Sequence, residues 1–201
     1  MDVKIGGIIP FTLQDYPGQV AAMVFMQGCN FRCTYCHNKG LIPEYGKHMV
    51  PPSSVLAFLT KRRLRLRGVV ISGGEPTCQA GLARFLSELK SLGYSIKLDT
   101  NGSNPRVLER LLGQGLVDYI AMDIKAPWDR YEDVTGIPGS GALAHRSMEI
   151  VARSGIQHIF RTTVVPGLID ESDIRAIREL VPKGSNHVLQ PFKPVYRIGL
   201  G

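Results

Sequence analysis

Three of the four cysteines fall within eight residues, in the segment Gly28-Cys29-Asn30-Phe31-Arg32-Cys33-Thr34-Tyr35-Cys36-His37-Asn38. Thiolates at C-x3-C-x2-C spacing on one loop can wrap a small inorganic cluster. A cubane iron–sulfur cluster has four irons, and full protein ligation takes four cysteines. Three nearby ligands therefore leave one iron for a group that is not protein. An open coordination position points to chemistry rather than scaffolding, by the logic that separates catalytic from structural zinc. A zinc ion on Cys29, Cys33, Cys36 and His37 is the competing assignment, although the chain neighbours Cys36 and His37 can hardly both reach one tetrahedral ion. Cys78 stands alone at the start of a predicted helix, and a lone cysteine reads as a buried small hydrophobe.

The remaining chemistry-bearing residues sit where apolar runs stop. Ser72-Gly73-Gly74-Glu75-Pro76 follows one such run; paired glycines let backbone approach a ligand, and Glu75 can accept hydrogen bonds from an ammonium group. Two further runs end in Leu98-Asp99-Thr100-Asn101-Gly102 and Ala121-Met122-Asp123-Ile124-Lys125. Charges at the ends of buried strands are costly unless they meet ligands or each other. The plainer alternatives are an Asp123–Lys125 ion pair and a simple turn at Asn101-Gly102. Arg161 lies within Phe160-Arg161-Thr162-Thr163-Val164-Val165, where its planar fork suits a carboxylate or ribose, or a buried ion pair.

These groups need a frame. Strand-like runs are predicted at Val20–Met26, Val69–Ser72, Ser95–Thr100, Tyr119–Ile124, His158–Val165 and Val188–Pro191. Helical stretches lie between them, near Ser53–Arg65, Ala80–Leu92, Pro105–Leu112, Ala142–Arg153 and Glu171–Leu180. Gly93, Gly113 and Gly155 are expected C-terminal stops, and Asn104-Pro105 an N-cap followed by proline in the first turn. Six strands alternating with helices predict a parallel α/β sheet. The 201 residues fall short of the roughly 250 of a full eight-fold barrel. The expected architecture is one domain, 1–201, folded as an open partial (β/α)6 barrel with its functional groups at the strand carboxyl ends.

The apolar fraction of 44% and charged fraction of 20% exclude a disordered chain. No apolar run reaches the roughly 18 residues of a membrane span. Met1-Asp2-Val3-Lys4 lacks the order of a signal peptide, so the cytoplasm is the expected address. The net charge of +7 is densest at Lys61–Arg67. That run reads as a solvated helix end, which favours basic residues, or a surface for an acidic protein, rather than a nucleic-acid site.

The cysteine motif, with aromatic Tyr35 before its last cysteine, resembles the signature of the radical S-adenosylmethionine superfamily. The resemblance implies a [4Fe–4S] cluster on Cys29, Cys33 and Cys36, with S-adenosylmethionine chelating the fourth iron and cleaved reductively to a 5′-deoxyadenosyl radical. It implies that Tyr35, Gly73, Gly74, Glu75, Asp99, Asn101, Asp123, Lys125, Arg161 and, less directly, Lys193 surround the cofactor. Glu75 would meet its amino group and Lys125 its carboxylate. Asp99, Thr100 and Asp123 match a monovalent-cation site of the pyruvate formate-lyase activating branch.

Ile5-Gly6-Gly7, Asp15-Tyr16-Pro17-Gly18, Phe25-Met26-Gln27-Gly28-Cys29 and Cys36-His37-Asn38 extend the resemblance to glycyl-radical-enzyme activases. Among these the chain is most similar to those of anaerobic ribonucleoside-triphosphate reductase. That implies a large glycyl radical enzyme as substrate, Asp15 in its docking, and a reduced flavodoxin or ferredoxin as electron donor. A short open barrel has a lateral mouth suited to a protein loop. The competing classes are a radical enzyme for a small molecule, such as a deazapurine-forming synthase, and a non-enzymatic iron–sulfur or zinc protein.

Overall fold

The computed structural model describes residues 2–193. Seven strands form one sheet in sequential order: β1 (Ile5–Thr12), β2 (Ala21–Met26), β3 (Gly68–Gly73), β4 (Ser95–Thr100), β5 (Tyr119–Asp123), β6 (Gln157–Val164) and β7 (Asn186–Pro191). Strands β2 to β7 are all parallel, whereas β1 runs antiparallel to β2. The helices between them are α1 (Pro52–Arg62), α2 (Leu82–Ser91), α3 (Pro105–Gly113), α4 (Tyr131–Thr135), α5 (Ser140–Arg153) and α6 (Glu171–Leu180). The outer edges of β1 and β7 do not meet, so the barrel is open.

The six parallel strands are those predicted, within two residues at each end. The antiparallel β1 is an addition, because Gly6, Gly7 and Pro10 blunt the apolar pattern that marks a strand. Its register shifts twice against β2, between Ile5 and Gly7 and between Ile9 and Thr12. Helix α4 is also an addition; at five residues it is too short for periodicity to reveal.

Strand alternation gives the sheet two unlike faces. The convex face carries Ala22, Val24, Val69, Ile71, Ile96, Leu98, Ile120, Met122 and Phe160, all buried against the helices. Those helices answer with Val55 and Leu59 of α1, Phe85 and Leu89 of α2, Leu108 and Leu111 of α3, and Met148 of α5. The concave face is divided along its length. Its amino-terminal part is filled by Tyr16, Ala21, Met23, Val70 and Tyr119; its carboxyl-terminal part carries the charged residues.

Helix ends follow local chemistry. Asp170 caps α6, accepting from Ser172 and Asp173 backbone N–H groups in a reciprocal capping box. Gly93 and Gly155 adopt positive φ just after α2 and α5, as expected. Gly113 instead closes α3 as its last helical residue, and Gly115 takes the left-handed turn. Asn104 holds the N-cap position but does not cap with its side chain; its amide donates to Thr77 Oγ1 at 2.9 Å. The basic run falls at the end of α1 and the turn beyond, exposed apart from Arg62 and Leu66. Among the described residues no helix is long and apolar enough to cross a membrane.

Candidate active site at the strand carboxyl ends

The loop after β2 holds the three cysteines, and its shape is set by backbone bonds on both sides. Gly28 N–H donates to Leu41 O at 2.8 Å and Cys29 N–H to Ile42 O at 3.0 Å. Gln27, buried behind the loop, donates through Nε2 to Gly40 O and Pro43 O. Gln79 in turn donates to Gln27 O at 2.7 Å. Phe31 roots the loop in the main core, and Arg32 N–H donates to Thr135 O at the end of α4. On the far side His37 Nε2 donates to Lys193 O at 2.7 Å, with Phe192 packed on the His37 ring at 4.7 Å.

Held in this way, Cys29, Cys33 and Cys36 line a cavity of about 250 Å³. Burial pushes the Cys29 thiol up to about 12 and raises Cys33, the latter against the pull of Lys125. Both thiols are therefore protonated near neutral pH, and metal loading must displace their protons. Among the described residues no three His, Cys, Asp or Glu side chains converge on a point that could hold a single ion. Three half-buried thiols on one loop, facing a cavity lined by further polar groups, are a donor set suited to an iron–sulfur cluster and a small ligand beside it.

The cavity floor is backbone. Gly73, at φ +112°, would drive a Cβ to 2.4 Å from Met26 N; a Cβ on Gly74 would lie 2.1 Å from Gly28 O. Only glycines let the end of β3 nest under the cysteine loop. Gly74 N–H donates to Met26 O and Glu75 N–H to Gly28 O.

Glu75 lies beneath this floor and is fully buried. Its Oε1 accepts from Thr77 N–H (3.0 Å), Thr77 Oγ1 (2.5 Å) and Thr100 Oγ1 (2.7 Å), and Oε2 accepts from Asn101 N–H at 2.7 Å. Burial raises its pKa while these donors oppose the rise. These four donors are all protein groups, and Glu75 is not among the residues that line the cavity. Its carboxylate ties the ends of β3 and β4 together, and the cavity-facing surface above it is left to Gly73, Gly74 and Asn101.

The wall above is a chain of alternating charges. Lys97 pairs with Asp99 Oδ1, and Asp99 Oδ2 accepts from Ser72 Oγ at 3.2 Å and faces Arg161 Nη1 at 3.5 Å. Arg161 donates through Nε to Asp123 Oδ1 at 2.9 Å, and its Nη2 forms an ion pair with the same oxygen at 2.9 Å. Lys125 Nζ donates to Asp123 Oδ2 at 2.9 Å. Burial opposes the charge on Asp123, yet Arg161 and Lys125 outweigh it and hold the carboxyl well below its ordinary range. The same pairings hold Lys125 and Arg161 charged against burial. Tyr35 sits beneath Lys125, whose Nζ is 6.0 Å from the ring centre. The Tyr35 hydroxyl is buried without a partner among the described residues.

Of the residues singled out from sequence, Tyr35, Gly73, Gly74, Asp99, Asn101 and Thr100 share the cavity with the cysteines, as do Asp123, Lys125 and Arg161. Three do not. Glu75 is beneath it. Lys193 has an exposed side chain and contributes its carbonyl to His37; Gln190 is the β7 residue that lines the cavity. Asp15 follows β1, whose Thr12 pairs with Ala21 at the start of β2. It therefore lies at the opposite, amino-terminal edge of the sheet, bonded to Thr12 Oγ1 at 2.5 Å.

Cys78 is exposed rather than buried and lies outside this cavity. Ser72 and Thr163 also line it without having been foreseen; their alternation with buried neighbours along β3 and β6 was the available signal. Lys97 was missed as well, although a lysine two residues before Asp99 in a strand must share its face.

Residues 23–181 match the Radical SAM superfamily. A protein of Methanocaldococcus jannaschii, provisionally named a glycyl-radical enzyme activating enzyme, is 33% identical over 202 residues, covering 96% of this chain and 82% of the relative. Pyruvate formate-lyase 1-activating enzyme of Escherichia coli is 30% identical over 171 residues, covering 79% of this chain and 66% of that enzyme. Among solved structures, TYW1 with a lysine-pyruvate adduct superposes with a TM-score of 0.66 at 18% identity, covering 87% of this chain and 65% of that one. QueE from Escherichia coli gives 0.58 at 18% identity, covering 94% and 84%. At those identities the likeness to solved structures bears on the fold. With the match spanning most of the sheet and all strand-end groups but Gln190, this chain belongs to the Radical SAM superfamily.

Proposed function

We propose that this radical SAM enzyme is an activase. It would hold a [4Fe–4S] cluster on Cys29, Cys33 and Cys36 and act on a backbone glycine of a partner glycyl radical enzyme, with anaerobic ribonucleoside-triphosphate reductase the first candidate. When bound, the cluster and S-adenosylmethionine would together supply the one-electron radical chemistry needed to take a hydrogen atom from that glycine. The chain's own residues do the rest. Gly73, Gly74 and Asn101 present a close backbone-lined surface to the methionine end of the ligand, and Lys125 and Arg161 present positive charge to its carboxylate. The Tyr35 hydroxyl, without a partner among the described residues, and its ring offer one polar and one flat contact to the nucleoside end.

The observation that carries the proposal is the juxtaposition of three cysteine thiols and this polar wall in one cavity, on a sheet left open between β1 and β7. The opening leads across the concave face, where Ile9 and Val188 are exposed and Phe25 and Ile159 half-buried. An apolar trough leading to a polar end suits an extended peptide segment. Relatives named as activating enzymes along most of the chain support the same reading. A flavodoxin or ferredoxin, acidic proteins suited to a chain of net charge +7, would deliver the electron in the cytoplasm.

The test is to reconstitute the protein anaerobically, reduce it, and mix it with S-adenosylmethionine and candidate partners. The expected result is about four irons per chain and a stable glycyl radical on one partner by electron paramagnetic resonance. Cleavage of S-adenosylmethionine with no radical on any glycyl radical enzyme tried would transfer the chemistry to a small-molecule substrate.

A further inference from the structure

The resemblance to the formate-lyase activating branch implies a monovalent metal cation on Asp99, Thr100 and Asp123, and the donor chemistry here does not fit one. A metal cation of this kind is held by several oxygen lone pairs in place of its water. Thr100 Oγ1 donates to Glu75 Oε1 and accepts from Gly102 N–H at 3.1 Å, so its hydroxyl is turned to the buried side of the strand. Both oxygens of Asp123 are engaged by Arg161 and Lys125. Asp99 is engaged by Ser72 and Arg161 on one oxygen and by Lys97 on the other. Three protein cations face two carboxylates, and both aspartates are neutralised before any ion arrives.

We propose that Lys97 is the resident cation of this site, in the place the resemblance assigns to a metal ion. Its side chain is 5% exposed, and it is absent from the residues lining the cavity, so it does not reach a ligand directly. It stands on β4 beside Val70 of β3 and Tyr119 of β5, in the apolar half of the concave face. There an unpaired ammonium would be costly and a paired one is held firmly. The ammonium fixes Asp99 from below. Arg161 then contacts Asp99 only loosely, at 3.5 Å, and keeps part of its guanidinium edge for a ligand carboxylate. Lys97 is thus a positioning residue acting through Asp99 and Arg161.

The inference rests on the proposal that S-adenosylmethionine binds in this cavity. It predicts that affinity for that ligand does not depend on monovalent metal ions, whereas a chain lacking the Lys97 charge acquires such a dependence. The experiment is anaerobic calorimetric titration of S-adenosylmethionine into the cluster-loaded protein. Choline, sodium or potassium chloride would be used at constant ionic strength, for the wild type, Lys97→Met and Lys97→Arg. The wild type and Lys97→Arg should bind equally in all three salts. Lys97→Met should bind about tenfold more weakly in choline, the scale of one lost charge pair in a partly screened site, and should recover in sodium or potassium.

Weaker wild-type binding in choline than in potassium would overturn the inference. So would a Lys97→Met defect of equal size in every salt. If Lys97→Met does not fold or load its cluster, the wild-type salt comparison decides alone. Failure of the cluster-loaded wild type to bind the ligand in any salt would instead sink the proposed function.

Discussion

Glu75→Gln separates two roles that a strand-end glutamate can play. In the structure three donors converge on Oε1 and one on Oε2, and two of the four are backbone N–H groups, of Thr77 and Asn101. The hydroxyls of Thr77 and Thr100 can rotate to accept from an amide, whereas the two backbone groups cannot. Whichever way the glutamine is turned, its NH₂ faces one buried backbone donor. An orphaned buried donor costs about 1–3 kcal/mol, and relief from burying a charge offsets part of it.

A net loss of about 2 kcal/mol lowers the unfolding midpoint of a chain this size by about 4–8 °C. Thermal unfolding of the metal-free protein by circular dichroism reads this directly, with ligand titration of the loaded protein as the companion measurement. The pKa of Glu75 is raised on folding. The wild-type advantage over Glu75→Gln should therefore be fullest at pH values below the ordinary glutamate pKa and diminish as pH rises through the folded value. An unchanged midpoint together with a large loss of S-adenosylmethionine affinity would show that the carboxylate meets the ligand, and would refute the assignment to strand-end support.

Three other outcomes are expected. Gly74→Ala places a methyl 2.1 Å from Gly28 O, backbone against backbone, so the cysteine loop must lift and iron per chain after reconstitution should fall at least by about half; a full complement would contradict the nesting argument. Cys36→Ala should abolish formation of 5′-deoxyadenosine, while Cys78→Ala, exposed and outside the cavity, should retain most of it by chromatographic assay; an inactive Cys78→Ala with intact cluster would reverse that assignment. The depressed Asp123 pKa means its contribution to stability is complete above about pH 4, the free aspartate range, and fades as pH falls through the folded value. The urea-midpoint difference between wild type and Asp123→Asn should stay level from pH 8 to about 4 and shrink only below; shrinkage already near neutrality would refute it.

The parallel strands were readable because each couples an apolar run to a polar or glycine-bearing end, as in Val69 to Gly74 and Ile120 to Lys125. The charged wall was readable for the same reason, since charge at a buried strand end demands a partner. What escaped depends on neighbours distant in sequence. The direction of the Glu75 carboxylate is decided by Thr100 and Asn101, about 25 positions away. The place of Asp15 is decided by β1, whose glycines and proline hid the hairpin that turns the loop to the far edge. Cys78 is exposed because the short helical turn at Pro76–Cys78 tips it outward, which residue type alone does not reveal. The ion pairs raised as plainer alternatives for Lys125 and Arg161 are present, and the same two residues line the cavity.

The contact between His37 and the main chain of Lys193 spans 156 positions. The thiols are made well before the outer support of their loop. Contacts so far apart form only after intervening segments have ordered. A nascent chain that has not yet reached Asn186 therefore carries its cysteines on a loop braced from one side, and iron delivered then would meet a half-built cradle. Cluster loading should accordingly wait until β7 and the residues through Lys193 have been made.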